Sequence, residues 1–237
     1  WSEVSTGTTE YLRGLFCRAK DDAWAVGTNG TIVHWDGMGW STATSNTNHI
    51  LNAVGGSAAD DVWAVGEVGT LLHWDGMSWN ASTAGSKTLW SVWAFAADDV
   101  WVGGDELFHF DGATWSPVTI ASVPYPTIRG LWGAATNDLW ATMPDGPHRL
   151  YHWDGATWTA DTGGDALDTP TSIAGDATHL WIVGGAYSNA LFVRIGSTWT
   201  ETKPDPAIHL GSVAHAGTTT WVVGGDVDRT NVFRLAP

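Results

Sequence analysis

An internal repeat constrains the fold of this chain more than any other feature. The stretch DDVWAVGEVGTLLHWDGMSW, residues 60–79, recurs in related form along the whole sequence. The Trp near its start returns at steps of 38 to 41 residues, so six copies fill the 237 residues. Self-similarity at a period of about 40 residues is typical of repeat architectures. The six repeated residues are Trp24, Trp63, Trp101, Trp140, Trp181 and Trp221.

Each copy contains four short segments in which apolar and polar residues alternate, separated by Gly, Asn or Asp. Such segments predict β-strands. Asn29-Gly30 predicts a two-residue hairpin turn, because this pair accepts positive φ. We therefore predict one all-β domain, a six-bladed β-propeller of four-stranded antiparallel blades over residues 1–237. The predicted blades are residues 11–45, 50–84, 88–120, 127–163, 169–203 and, for three inner strands of blade six, 208–237.

The missing fourth strand of copy six is expected at the other end of the chain. The sequence begins with WSEVSTG, which resembles STWTETK at residues 197–203. We predict that residues 1–7 pair with the C-terminal strand and form the outer strand of blade six. Closure of this kind hides sheet edges that otherwise favour aggregation.

Composition excludes several classes of partner. The formal net charge is −15, from 10 Lys and Arg against 25 Asp and Glu. Nucleic acid is not expected to bind, because its recognition depends on clustered basic residues. No apolar run approaches the roughly 20 residues of a membrane helix, so we expect no membrane insertion. Cys17 is the single cysteine and cannot form an internal disulfide. We expect a monomer.

The run VWAVGEVGTLLHWDGMSW, residues 62–79, resembles the Asp-box repeats of sialidase-like propellers and of photosystem II assembly factor propellers. In those repeats a Gly-rich hairpin leads to an Asp-Gly turn and then Trp. The chain also resembles kelch repeats, through Gly103-Gly104 after a second strand and an aromatic-Asp pair before Trp. It departs from an Asp-box because Asp75 and Trp79 are four residues apart and His73 replaces the leading Ser or Thr. The resemblance implies the fold and carries no activity across.

A His in the third strand and an Asp two residues before the second-strand Trp occur together in copies one to four. Both are replaced in copies five and six, which predicts a hydrogen-bonded Asp–His pair in each of the first four blades. A shared metal site is the alternative, but equivalent positions around a ring lie too far apart for one ion. The pairs are Asp22 with His34, Asp61 with His73, Asp99 with His109, and Asp138 with His152.

No cofactor is expected. Residues 226–231, DVDRTN, could offer oxygens to calcium, but they lack the full twelve-residue loop pattern. The Asp of each Asp-Gly turn is expected to cap its own turn. These residues are Asp36, Asp75, Asp111 and Asp154.

Large or basic residues at equivalent inner-strand positions mark a candidate ligand site in copies one, three and four. They either fill a narrow central channel or form a pocket whose aromatic faces and guanidinium groups suit sugars or carboxylates. The longer connections 119–127, 143–148 and 163–170 add exposed loops that could bind, with His148 and Asp165 as further candidates. The candidate ligand-binding residues are Arg13, Trp90, Trp93, Arg129, Trp132 and Tyr125.

We expect a noncatalytic recognition module, extracellular or at the cell surface, that binds carbohydrate or protein through a propeller face. A protein–protein scaffold without a small-molecule ligand is one alternative, and a glycan-processing enzyme, sialidase-like or a lyase, is another. The sequence offers no evident Ser-His-Asp or Cys-His arrangement, so no catalytic residue is assigned. In copies five and six, Arg194-Ile195 and Arg234-Leu235 replace Trp-Asp, either by drift or as a docking surface.

Deletion of residues 1–7 is expected to leave an open outer edge on blade six and to lower the melting temperature sharply. Thermal unfolding followed by circular dichroism measures the change. An unchanged melting curve would contradict the predicted closure.

Overall fold

The computed structural model describes residues 4–121, 123–184, 190–203, 209–226 and 229–235. These residues form β-strands joined by tight turns, with three short 3-10 turns at Thr28–Gly30, Glu67–Gly69 and Thr162–Ala166. The chain divides into two compact units, Trp1–Val118 and Thr119–Pro237. Within the described ranges, no helix has the length and apolar character needed to cross a membrane.

The first unit contains three antiparallel sheets, blades one to three, each with four strands in chain order. The first strand of each blade contacts the first strand of the next, so these strands are the innermost. Blade one is β1 (Leu12–Ala19), β2 (Asp22–Gly27), β3 (Ile32–Trp35) and β4 (Trp40–Ala43). Blade two is β5 (Leu51–Ala58), β6 (Asp61–Gly66), β7 (Leu71–Trp74) and β8 (Trp79–Ser82). Blade three is β9 (Leu89–Ala96), β10 (Asp99–Gly104), β11 (Leu107–Phe110) and β12 (Trp115–Pro117).

The second unit contains two four-stranded blades and a sheet of three described strands. Blade four is β13 (Gly130–Ala135), β14 (Asp138–Thr142), β15 (Leu150–Trp153) and β16 (Trp158–Ala160). Blade five is β17 (Pro170–Gly175), β18 (His179–Gly184), β19 (Ala190–Ile195) and β20 (Thr198–Thr202). Blade six is β21 (His209–Ala216), β22 (Thr219–Asp226) and β23 (Arg229–Arg234). Residues 4–7 belong to no strand and residues 1–3 lie outside the described ranges, so the outer strand of blade six stays a prediction.

The hydrophobic core lies between consecutive blades. The second strands β2 and β6 are buried along their whole length, because each is covered on both faces. Trp24 of blade one packs with Val54, Leu72 and Trp79 of blade two. Trp63 of blade two packs in the same way with Val92 and Phe108 of blade three. The repeated second-strand Trp is therefore a main packing residue of these two interfaces, as its large apolar surface allows.

A β-bulge interrupts the pairing of most innermost strands near their start. One extra residue lies between two register positions, so it has no partner on the second strand. Its side chain therefore does not follow the alternation of the paired residues. A second bulge lies at the other end of the innermost strand, next to the Asp–His position. The first set is Arg13, Asn52, Trp90, Thr171 and Gly211, and the second is Arg18, Ser57, Phe95 and Ala134.

The hairpin turn predicted at Asn29-Gly30 is present. Asn29 has φ 52° and Gly30 has φ 65°, and the N–H of Thr31 donates to the carbonyl of Thr28 at 3.0 Å. Both central residues therefore have the positive φ that a type I′ turn requires. Blade two makes the same turn with Val68 at φ 55°, a conformation that is unfavourable for a β-branched residue.

Replacing Val68 by Asn is expected to stabilise the protein by about 1 kcal/mol, because Asn tolerates the left-handed conformation better than Val. Val68 is 63% exposed, so the change removes little packing. The reciprocal Asn29→Val variant should lose a similar amount. Urea denaturation of both variants measures the two effects, and unchanged midpoints in both would contradict backbone strain at this turn.

Candidate functional site

The four Asp–His hydrogen bonds predicted from the repeat are present in blades one to four. In each blade the His Nε2 lies 2.8 to 2.9 Å from Oδ1 of the Asp that opens the second strand. The His ring also lies against the second-strand Trp, with ring centroids 4.0 to 4.4 Å apart. Each imidazole is thus held by a hydrogen bond at one edge and by an aromatic ring on its face.

The indole N–H of the same Trp uses the same carboxylate in three of these blades. Nε1 of Trp63, Trp101 and Trp140 donates to Oδ1 of its neighbouring Asp at 2.9, 3.0 and 2.8 Å. Blade one differs, because Arg18 also pairs with Asp22 and the buried Nε1 of Trp24 has no acceptor in the described structure. The repeated unit is therefore a hydrogen-bonded Asp–His–Trp network that satisfies polar groups inside the blade interface.

The second carboxylate oxygen of this network, Oδ2 of the Asp, has different hydrogen-bond partners from blade to blade. In blade two, Ser57 donates to Oδ2 of Asp61 at 2.5 Å, and in blade one Arg18 pairs with Oδ2 of Asp22. The equivalent bulge residues of blades three and four are Phe95 and Ala134, which have no side-chain donor. The Asp side chains are accordingly 12%, 5%, 20% and 40% exposed in blades one to four. Asp138 of blade four has the most exposed side chain of the four, and its Oδ2 accepts no hydrogen bond from the described residues.

A cleft of about 380 Å³ lies beside Asp138, between blades four and five. We call it the four–five cleft. Blade four contributes Trp132, Asp138 and Trp140, and blade five contributes residues 176–180 and 194–196. The equivalent cleft between blades one and two is lined by Asp22, Trp24, His34 and Trp74, with Arg18 beside the carboxylate. The two clefts occupy the same place in the repeat but differ in chemistry.

Arg194 causes much of that difference. At its position in other blades an aromatic ring packs on the second-strand Trp of the preceding blade: Trp74 on Trp24 at 5.0 Å and Phe110 on Trp63 at 5.5 Å between centroids. Arg194 instead places Cζ 4.6 Å from the ring centroid of Trp140, a cation–π contact. Its Nε lies 3.1 Å from Oδ2 of Asp161, but the N–H direction does not make a hydrogen bond, so the contact is an ion pair.

Asp176 brings a second carboxylate to the cleft. Its Oδ1 accepts hydrogen bonds from the backbone N–H groups of Thr178 and His179 at 2.7 and 2.8 Å. Burial alone would raise the pKa of Asp176, but these bonds and those from the Thr178 and His179 side chains outweigh it and lower the pKa to about 2. Asp176 is therefore ionised at neutral pH. Its contribution to stability is present above about pH 4 and is lost as the pH falls towards 2.

The other sequence-predicted candidates fall in two places. Arg13 and Trp90 are bulge residues of innermost strands; Arg13 is exposed and Trp90 is half-buried with Nε1 3.4 Å from Oδ1 of Asp105. Arg129 directly precedes β13 and is half-buried. Trp93 and Trp132 instead pair with Trp101 and Trp140, on the blade face that carries the Asp–His–Trp network. Trp132 is 8% exposed, and its ring occupies the space that a Cβ on Gly175 would need.

The loop candidates are separate from that face. Tyr125 is 79% exposed. His148 and Asp165 pair with each other, with Nδ1 2.9 Å from Oδ2. Among the described residues, no group of three or more His, Cys, Asp or Glu could hold a metal ion. Of the segment considered for calcium, residues 227 and 228 lie outside the described ranges.

Sequence reasoning did not single out Asp161 or Asp176, and it treated Asp138 as purely structural. The exchange of an aromatic residue for Arg194 was visible in the aligned copies. The contact of Arg194 with Trp140 could not be inferred from that exchange, because it joins residues of two different copies. The turn sequence Asp176-Ala177-Thr178-His179 was the available signal for a capped carboxylate beside that contact.

No protein-family model matches the chain, and no curated protein matches its sequence. Solved structures match it over nearly its whole length. Catalytically inactive virginiamycin B lyase from Staphylococcus aureus with quinupristin has a TM-score of 0.76 at 15% identity, covering 98% of this chain and 86% of that chain. YCF48 bound to D1 peptide has a TM-score of 0.71 at 17% identity, covering 94% and 77%. A streptogramin B lyase has a TM-score of 0.72 at 13% identity, covering 95% and 83%.

These likenesses and the blade topology identify the fold as a six-bladed β-propeller of antiparallel blades. The resemblance to photosystem II assembly factor propellers is confirmed at this level, since YCF48 is such a factor. At these identities the match concerns the fold, which hosts a peptide-bound protein and lyases alike.

Replacing Asp61 by Ala is expected to reduce the free energy of unfolding by about 3 kcal/mol, because it leaves the donors of Ser57, Trp63 and His73 without an acceptor. Asp138→Ala should cost only about 1 kcal/mol, since that site is more open to water. Urea denaturation compares the two variants. Equal losses of unfolding free energy in the two variants would contradict the conclusion that the network is more open to water in blade four than in blade two.

Proposed function

We propose that this chain is a noncatalytic recognition module, extracellular or at the cell surface, that binds a segment of a protein partner in the four–five cleft. The observation that carries the proposal is the open Oδ2 of Asp138 in a cleft whose other walls are Trp132, Trp140, Asp176 and Arg194. Charged groups of both signs beside apolar faces suit a polypeptide segment, which presents backbone, charged and apolar groups together.

The pKa directions of the carboxyl groups support binding over glycoside hydrolysis. A glycosidase requires a carboxylic acid that keeps its proton near neutral pH, and therefore a raised pKa. Every described carboxyl group whose pKa departs from its ordinary value has it lowered, mostly by hydrogen bonds to its oxygens. These groups are Glu10, Asp22, Asp36, Asp61, Asp75, Asp111, Asp154 and Asp176.

Burial of the tryptophans favours a protein segment over a sugar. A lectin site usually offers an aromatic face to the ring of a sugar. The Trp faces of the blade interfaces are already covered: Trp24, Trp63, Trp101 and Trp140 are all buried. Carbohydrate remains the second candidate because half-buried Trp90 and exposed Arg13 lie on innermost strands of the first unit. YCF48, a neighbour in fold, has been captured with a peptide, which makes a protein partner plausible here.

The test exposes the purified chain to an array of random peptides and to a glycan array in parallel. We expect a set of peptides to bind the wild type and to lose binding at least tenfold with Asp138→Asn. An Asn side chain keeps one oxygen to accept from Trp140 and His152, so the network is retained while the charge of the open oxygen is lost.

Asp111→Asn is the matched control. It makes the same change in charge at an exposed turn, where the Asn oxygen can still accept from the backbone N–H groups of Ala113 and Thr114. This variant should bind the selected peptides as the wild type does. Glycan binding that is lost with Trp90→Ala, with no peptide selected, would replace the protein segment by carbohydrate. Turnover of any arrayed glycan would overturn the noncatalytic assignment.

A further inference from the structure

The four–five cleft has an excess of negative charge. Asp138 and Asp176 face it from blades four and five, and Arg194 is the basic side chain of its lining. Arg194 already has a carboxylate partner, because Asp161 lies 3.1 Å from its Nε and outside the set of lining residues. Counting the Asp and Arg side chains alone, the three carboxylates and one guanidinium sum to a formal charge of −2. A bound group that neutralises this excess must be cationic.

Among the described residues, Oδ2 has no donor in Asp99 and Asp138, and the Asp138 side chain is the more exposed of the two, at 40% against 20%. In the equivalent cleft between blades one and two, the guanidinium of Arg18 belongs to the chain itself and pairs with Oδ2 of Asp22. A guanidinium therefore fits beside this carboxylate in the repeat. In blade four Ala134 replaces the donor, and the same position on Oδ2 has no partner among the described residues.

The walls of the cleft suit a planar cation on an apolar stem. Ile195, which is 54% exposed, provides apolar surface beside the edges of Trp132 and Trp140, and Asp138 and Asp176 provide acceptors. An arginine side chain lays its methylene groups on apolar surface and keeps its flat, forked head for carboxylates. A net charge of −15 over the chain also accelerates the approach of a basic segment.

We propose that the four–five cleft recognises an arginine side chain of the partner segment, whose guanidinium takes at Oδ2 of Asp138 the place that Arg18 occupies at Asp22. This inference rests on the proposed function and specifies the ligand of the same cleft. The partner is thus a basic peptide segment, and arginine is preferred to lysine because the head group is planar and forked.

The test uses the full chain labelled with ¹⁵N at tryptophan, in which each indole N–H gives its own NMR signal. N-acetylarginine amide is titrated in and compared with N-acetylcitrulline amide, a neutral isostere. We expect the arginine derivative to shift the indole signals of Trp132 and Trp140 saturably, and the citrulline derivative to bind at least tenfold more weakly. Trp132→Phe identifies one of the two signals by its loss.

Two variants test the role of Asp138. Asp138→Asn should weaken binding of the arginine derivative about tenfold, whereas the control Asp111→Asn leaves it unchanged. Ala134→Ser should also weaken it severalfold, because a serine at this bulge would close Oδ2 as Ser57 does in blade two. Retention of the other indole signals shows in each case that the fold is intact.

Equal binding of the citrulline derivative, or unchanged affinity in both Asp138→Asn and Ala134→Ser, would overturn the inference. The titration and the peptide array are separate measurements, so their outcomes can be told apart. Arrayed peptides that bind the cleft without arginine would overturn the inference and leave the proposed function standing. Binding of the arginine derivative with no peptide selected would support the cation site and overturn the protein partner.

Discussion

A hydrogen-bonded carboxylate at the start of the second strand governs the local structure of blades one to four. Burial of Asp61 disfavours its charged form, and hydrogen bonds from His73, Ser57 and Trp63 more than compensate, so that its pKa is lowered. These donors come from the first, second and third strands of the blade. The same group therefore fixes the neighbouring strands and orients the Trp that packs against the next blade.

Blades five and six solve the same packing problem without that carboxylate. His179 and Val193 replace the Asp and the His of the network, and Trp181 stacks on His215 of blade six at 4.4 Å between centroids. Blade four still carries the Asp–His–Trp network, whereas blade five presents Arg194 to it. The four–five cleft therefore lies between a blade with the Asp–His–Trp network and a blade without it. Its combination of carboxylates, aromatic rings and a guanidinium follows from that position. At an interface between two unlike repeats, the residues differ from those at the other interfaces. A specific binding site can therefore arise there.

Much of this structure could be predicted from the sequence, because the repeat shows the same local pattern several times. The hairpin at Asn29-Gly30, the capped Asp-Gly turns and the Asp–His bonds each depend on residues that are close together within one copy. The open oxygen of Asp138 could not be predicted, since it depends on a β-bulge at Ala134, the position at which Ser57 supplies a donor in blade two. Trp90 and Trp93 were grouped together although a bulge at Trp90 separates their surroundings. The contact of Arg194 with Trp140 was missed because alternation within a strand carries no information on the neighbouring blade.

The separate cores between blades have a consequence for how this chain can change. One cluster joins blades one and two, another joins blades two and three, and a third joins blades five and six. In such an arrangement stability is close to a sum over neighbouring pairs, and a defect is felt mainly by the two repeats that share it. Each interface can therefore diverge almost independently of the others. A chain of this kind can specialise one interface for recognition while its remaining interfaces keep the fold.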